Sequence, residues 1–199
     1  GTGTALTLGS LFVGAILGLL MFLNRRDIWG IKRCVRVFSS IFGIGCIVGL
    51  LFAHQLIPMM VAFLLIGVGF AGGMYLIPLM NGDVIDADEH ATGLRREGMY
   101  AGVNSFVTKP AMSLAQAVFL AFLSRAGYDQ SLGKGMQSAS AEAGIVRAWF
   151  LVPAILLLVC AVILQWYPLD GASWEQIKTH LAVVHREKER NYLFERGLK

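Results

Sequence analysis

The sequence predicts an all-α, multi-pass transmembrane chain, and three observations predict it. Hydrophobic residues fill 56% of the 199 positions and charged residues only 15%, where soluble domains carry about 25% charge. Mean hydropathy is +0.63. The charges are segregated, leaving five long stretches almost free of them. Those stretches are continuously apolar instead of alternating apolar and polar, which excludes a β-barrel. The same composition excludes a disordered chain and a disulfide-stapled secreted domain. A net charge of +4 suggests nucleic acid at first, but the basic residues sit between and after the apolar runs, so no nucleic-acid partner is expected.

A transmembrane helix needs about 20 apolar residues to cross about 30 Å of hydrocarbon. Five stretches qualify: 4–23, 37–54, 57–80, 100–123 and 148–167. The second and third form a helical hairpin across Gln55 and Leu56. Residues 1–167 are thus a membrane bundle, and 168–199 are a tail. Arg25, Arg26, Lys32, Arg33 and Arg36 fill the first loop, and Arg95 and Arg96 lie in the third. Lys178, Arg186, Lys188, Arg190, Arg196 and Lys199 lie in the tail. Thirteen of the 17 Lys and Arg therefore fall on one side, while only Arg125, Lys134 and Arg147 fall on the other. The positive-inside rule makes the crowded side cytoplasmic, with Gly1 outside and the C-terminus inside. The external loop 124–146 is rich in Gly, Ser and Ala.

In the tail, Ser173 and Gln176 fit a capping box. Trp174, Ile177, Leu181 and Val184 then recur at helical spacing. They predict a short amphipathic helix that lies on the inner leaflet, packs under the bundle or frays in solvent. Cys34, Cys46 and Cys160 show no metal-ligand spacing, and the two in apolar runs read as small buried hydrophobes. The first apolar stretch has no basic flank or cleavage pattern of a signal peptide. The chain opens Gly1-Thr2-Gly3 without a methionine, almost inside a span, and reads as the back end of a longer protein.

Several motifs look specific and are not. Residues 67–72 match G-x-G-x-x-G letter for letter, but a dinucleotide site needs a preceding strand and an opening helix. Mid-span, these glycines instead let helix backbones approach closely, as do the GxxxG pairs Gly14–Gly18 and Gly45–Gly49. The histidines are dispersed, with His180 and His185 five apart in a charged tail. No metal site is expected. No Ser-His-Asp, HExxH or Walker pattern appears, so the chain is expected not to be an enzyme and to need no cofactor.

The informative segment is the charge cluster at the connection between the third and fourth spans. Asp83, Asp86 and Glu89 are spaced by three, so a continuing helix puts them on one face, and Arg95, Arg96 and Glu97 follow within reach. Such a network at the inner mouth of a transporter can hold one conformation closed and break in the other. Read as D-x-x-D-x-x-E…T-G-x-R-x-E-G…S-F-x-x-K through Lys109, the segment resembles the glycoside–pentoside–hexuronide:cation symporter family. These melibiose-permease-like carriers belong to the major facilitator superfamily. Asp27, Gly30, Lys32 and Arg33 resemble that superfamily's D-x-x-G-x-[RK]-[RK] loop.

The resemblance implies that the five spans match the last five of a twelve-helix major facilitator fold. It also implies a cation-coupled symporter, using Na⁺ or H⁺, for a sugar, glycoside or uronide by alternating access. The coupling ion would bind mainly in the missing amino-terminal half, whose helices become partners of this bundle together with the lipid bilayer. The residues agree independently, because no Asp or Glu lies inside any of the five spans, where a cation site would require one. Location in a bacterial inner membrane follows from the resemblance as well.

Lys109 is the leading site residue. It lies nine positions past Tyr100, about 13 Å along a helix, where an ammonium costs about 2.5–3.5 kcal/mol on insertion scales. Pro110 follows it and frees a backbone carbonyl, which favours a cavity-facing helix. Just before it, Asn104, Ser105 and Thr108 share one helix face. In the resembled family the matching lysine lines the substrate cavity, and the matching polar stretch touches sugar or lines that cavity. Met74 stands where those carriers have a cavity tryptophan, with Tyr75 beside it; either Tyr75 substitutes or the substrate differs. Two other readings stay open: a carrier of a lysophospholipid-like amphiphile, and a non-transporting half-transporter scaffold.

Overall fold

In the computed structural model, which describes residues 1–132 and 135–196, the chain is a set of long helices. They are α1 (Thr2–Trp29), α2 (Ile31–Leu51), α3 (Leu56–Thr92), α4 (Glu97–Arg125), α5 (Ala139–Ile163) and α6 (Gly171–Glu195). A 3₁₀ turn over Leu164–Trp166 extends α5. No strand occurs among the described residues. The first five helices are each long and apolar enough to cross a membrane, and the chain is a membrane protein.

The helices run past the apolar stretches that predict them. At about 1.5 Å per residue, the 37 residues of α3 greatly exceed the hydrocarbon thickness of about 30 Å. Part of α3 therefore extends beyond such a layer, and the charged residues that follow the apolar stretch 57–80 are the part suited to do so. Helix α1 continues through Arg25 and Arg26 to Trp29, and a single residue, Gly30, separates it from α2. The expected first loop is thus helix on both sides of a one-residue corner. Gly30 takes φ 76°, a conformation that L side chains rarely adopt. Helix α2 ends at Leu51, not His54. Between α4 and α5 the irregular segment is shorter than the expected 124–146 loop, because α5 begins at Ala139 with the Ser138 side chain accepting from Ala141 N–H.

In cross-section the contacts order the helices α1, α3, α2, α5, α4, with α1 also touching α2. Glycine permits the tightest of these approaches. A Cβ on Gly14 or Gly18 would collide with the α3 backbone at Leu64 or Val68, and one on Gly67 would collide with the Leu11 carbonyl of α1. On the other side of α3, Gly69 and Gly72 admit Phe42 and Phe38 of α2. Phe22, Cys34, Val35, Phe38 and Leu76 form the main buried cluster, with the Phe22 and Phe38 rings edge to face at 6.3 Å. A second cluster joins α2 to α5 through Cys46, Phe150 and Ala154. Of the two cysteines in apolar runs, Cys46 is buried as expected but Cys160 is exposed, whereas Cys34, outside those runs, is buried as well.

The tail departs from its expected form. Asp170 is the N-cap of α6 without a side-chain cap bond, and Gly171 turns the chain with φ 83°. The helix therefore starts before Ser173, and the capping box with Gln176 does not form. It is also not short, at 25 residues. It packs against α3, with Trp174 and Leu181 buried. Lys134 and Lys199 lie outside the described residues.

The close approach of α1 and α3 makes a prediction. Gly67→Val forces a branched side chain into the α1 backbone and is expected to destabilise the bundle by about 1–3 kcal/mol, the usual cost of overpacking. Gly82→Ala meets open space and should leave stability unchanged or raise it by about 0.5–1 kcal/mol. Thermal unfolding of the purified protein in detergent, followed by gel filtration, measures both.

Candidate functional site

Two groups of side chains stand out: an ionic cluster where α3, α4 and α6 meet, and a polar face on α4.

The ionic cluster forms because α3 continues helically beyond Met80, which stacks Asp83, Asp86 and Glu89 on one side. Gly93 then ends the helix in the left-handed conformation, its N–H donating to the Glu89 carbonyl. That turn folds Arg95 back over the last turns of α3. Its Nη1 donates to Glu89 Oε2 at 2.8 Å and Asp86 Oδ1 at 3.1 Å, and its Nε to Glu97 Oε1 at 2.5 Å. Arg96 forks onto Asp88 through Nε and Nη2.

Four of the six sequence-predicted residues, Asp86, Glu89, Arg95 and Glu97, are thus in one network. Arg96 pairs apart, with Asp88. Asp83 is buried and faces Lys178 of α6 at 4.0 Å. Glu89 is the centre, only 3% exposed. It is also held by the tail: His185 Nε2 stands 2.9 Å from Oε2, and Lys188 Nζ donates to Oε1 at 3.4 Å. An ionised Glu89 only accepts, so His185 Nε2 carries a proton in this contact.

Glu89 lies nine positions past Met80, where the apolar stretch 57–80 ends, about 13 Å further along the helix. Burial alone raises its pKa, yet the hydrogen bonds from Arg95, His185 and Lys188 outweigh that and bring it down to about 2. The Arg96 fork likewise lowers Asp88 and Asp88 raises Arg96.

The sequence reading missed Asp88, Lys178, His185 and Lys188 as members of this cluster. The apolar spacing of Trp174 and Leu181 was the available signal, since it fixes which face of α6 meets α3 and so which charges flank it.

The D-x-x-G-x-[RK]-[RK] residues lie at the same end of the bundle. Asp27 is exposed and bonded to Arg26 at 3.1 Å. Gly30 is the corner, and Lys32 reaches Asp170 at 4.0 Å. The Arg33 guanidinium lies over the Trp29 ring at 5.4 Å, and that of Arg25 at 5.5 Å.

On α4, Lys109 sits near mid-helix, followed by Pro110. Every residue from Ala101 to Ala117 is exposed. Helix α4 touches α5 only further along, where Phe119 meets Trp149 edge to face at 6.3 Å. Lys109 makes no ion pair among the described residues. Thr108 Oγ1 donates to the Asn104 carbonyl at 2.8 Å, and Asn104 and Ser105 flank it on the same open face. The face offers an ammonium, an amide and hydroxyl groups, a donor-rich set suited to hydroxyl or carboxylate oxygens. Met74 and Tyr75 are elsewhere, in an apolar groove of about 460 Å³ between α3 and α1. Tyr75 there lies under the Arg26 guanidinium at 5.8 Å. Because α3 packs on α1 and α2 while α4 packs on α5, the structure does not bring these two residues to Lys109.

Over residues 1–171 the sequence matches the family described as MFS/sugar transport protein. It is similar to the isoprimeverose transporter of Lactiplantibacillus pentosus, at 30% identity over 152 residues, covering 76% of this chain and 27% of that protein. It is also similar to the glucuronide carrier protein homolog of Escherichia coli (strain K12), at 26% identity over 118 residues, covering 59% of this chain and 25% of that protein. The chain spans about a quarter of the length of these curated relatives.

Glu89 yields the prediction for this cluster. Glu89→Gln removes the charge that Arg95, His185 and Lys188 share, so pulsed hydrogen exchange in α6 is expected to rise by about tenfold, the scale of a charged hydrogen bond discounted for exposed partners. The native contact has a depressed carboxylate pKa, so its contribution is complete above the ordinary value of 4.5 and disappears as pH falls toward about 2. Protection of α6 owed to Glu89 should therefore be retained above pH 4.5 and decline below it.

Proposed function

This chain belongs to the MFS/sugar transport protein family, and from that premise we propose that it forms the carboxyl-terminal helices of a secondary active transporter. The transporter moves a sugar, glycoside or uronide together with Na⁺ or H⁺ by alternating access. The observation that carries this reading is Lys109, a charge in the middle of a membrane helix with an open polar face around it. An ammonium at that depth costs about 2.5–3.5 kcal/mol unless it meets water or a partner. A hydrated cavity between this bundle and the amino-terminal helices of the same protein removes that cost. There Lys109, Asn104, Ser105 and Thr108 bind solute oxygens, and Lys109 also pairs with acids of the opposite bundle. The coupling ion binds mainly among those acids, because the five spans offer no interior carboxylate. The names of the two relatives, one for isoprimeverose and one for glucuronides, support a sugar-derived solute.

The charged end faces the cytoplasm on this reading, as its basic residues favour, and the C-terminus with it. The cluster of Asp83, Asp86, Glu89, Arg95, Arg96 and Glu97 then acts at the inner mouth. Rocking of the two bundles breaks or makes such charge pairs, which biases one of two conformations. A lysophospholipid-like cargo has one observation in its favour, the apolar groove holding exposed Met74. Competition separates the two, because sugars then fail to displace the labelled cargo and lysophospholipids succeed.

The test uses membrane vesicles bearing the full-length carrier and an imposed Na⁺ or H⁺ gradient. Gradient-driven uptake of a labelled glycoside or glucuronide is expected. Lys109→Ala should lower it by about tenfold or more, the scale of a lost charge-assisted hydrogen bond, with membrane expression unchanged. Uptake at the native rate in that variant would overturn the site assignment.

A further inference from the structure

A second groove, of about 470 Å³, lies between α2 and α5 at the charged end of the bundle. Its upper wall carries Arg33, Arg36, Ser40 and Gln165, and its lower wall is apolar, including Leu158 and Val162. No carboxylate lines it. Arg33 and Arg36 are three apart and share a helix face. Neither forms an ion pair among the described residues. Arg33 stacks on Trp29, which leaves its N–H edge free to donate.

From Gln165 down to Leu158 the wall descends seven residues, about 10 Å along the helix. The groove thus runs from the level of the basic residues into the apolar layer, and both helices that form it are long enough to span a membrane.

We propose that this groove binds an anionic phospholipid, its phosphate held by Arg33 and Arg36 and one acyl chain lying on Leu158 and Val162. A guanidinium pair matches phosphate oxygens in charge and in fork geometry. Basic pockets between membrane helices are suited to such headgroups. The apolar lower wall is what selects a lipid over free phosphate, since an inorganic anion gains nothing from it. Association of α2 with α5 rests on Gly43 against Leu158 and Gly49 against Phe150, so a lipid wedged along this seam bears on the pair directly. The site is independent of Lys109 and of any solute.

The full-length carrier is purified in detergent and titrated with phosphatidylglycerol or phosphatidylcholine, with bound lipid read by native mass spectrometry and melting temperature read in parallel. Phosphatidylglycerol is expected to bind about tenfold or more tightly than phosphatidylcholine, on the scale of two surface arginines near a headgroup. The double substitution R33Q/R36Q should abolish the preference. Val162→Trp, which fills the lower wall without altering charge, should weaken phosphatidylglycerol binding while both arginines remain, and it answers alone if the double variant does not fold. Equal binding of the two lipids, or a preference that survives R33Q/R36Q, overturns the proposal. So does inorganic phosphate raising the melting temperature as much as phosphatidylglycerol, because the groove is then an anion site without a lipid. Loss of uptake with lipid preference intact, or the reverse, separates this site from the transport reading.

Discussion

The contact of α1 with α3, backbone against backbone, is the constraint on which the bundle depends. Between helices in a bilayer there is no hydrophobic gain from burying apolar surface, because lipid tails are as apolar as leucine. Association must come from dispersion between surfaces that approach closely. Gly14 and Gly18 on one side and Gly67 on the other remove the side chains that would hold the helices apart. With α1 set against one face of α3, Gly69 and Gly72 let the phenylalanines of α2 enter from the other. Helix α3 becomes the central strut, and its extension beyond the apolar layer carries Asp83, Asp86 and Glu89 to fixed positions. The letters that imitate a nucleotide-binding motif, residues 67–72, are therefore the packing surface of this strut.

At the charged end, one buried carboxylate organises three chain segments. Glu89 lies where α3 ends, and it is approached by Arg95 from the following turn and by His185 and Lys188 from the tail. A buried charge is tolerated only when its lone pairs are occupied, which makes the docking of α6 and the fold of the α3–α4 turn conditional on each other. The arrangement ties the tail to the same residues proposed to work at the inner mouth. A movement that displaces Arg95 alters the environment of Glu89, and so reaches α6 without any direct contact between α4 and the tail being needed.

Helix α4 shows the opposite condition. It is the polar span of the five, exposed along Ala101–Ala117 and joined to α5 only near its far end. Elsewhere the sequence places small residues where helices meet, but here it places Asn104, Ser105, Thr108 and Lys109 on an open side. On the proposed reading this is the side that meets solute and the opposing bundle, where polar groups suit, while the surfaces that hold this bundle together are close-packed.

The number and order of the spans, the side on which the basic residues gather, and the helical stacking of Asp83, Asp86 and Glu89 were legible in the sequence. All follow from one-dimensional pattern: apolar length against bilayer thickness, charge placement and a period near 3.6 residues. Lys109 was legible for the same reason, as a charge within an apolar run. Helix ends were less so, since backbone hydrogen bonding continues past the last apolar residue and takes α1 through Arg26 and α3 to Thr92. The start of α6 escaped because the positive φ of Gly171 sets it ahead of Ser173.

Only the tertiary structure decided that His185 and Lys188 of the tail meet Glu89, nearly a hundred residues earlier, that Asp88 takes Arg96, and that Met74 and Tyr75 stand apart from Lys109. Those pairings depend on which faces α3 and α6 turn to each other, and on which neighbour each helix chooses. Choices of that kind are made by the summed packing of many side chains and glycines at once, a quantity that no local pattern contains.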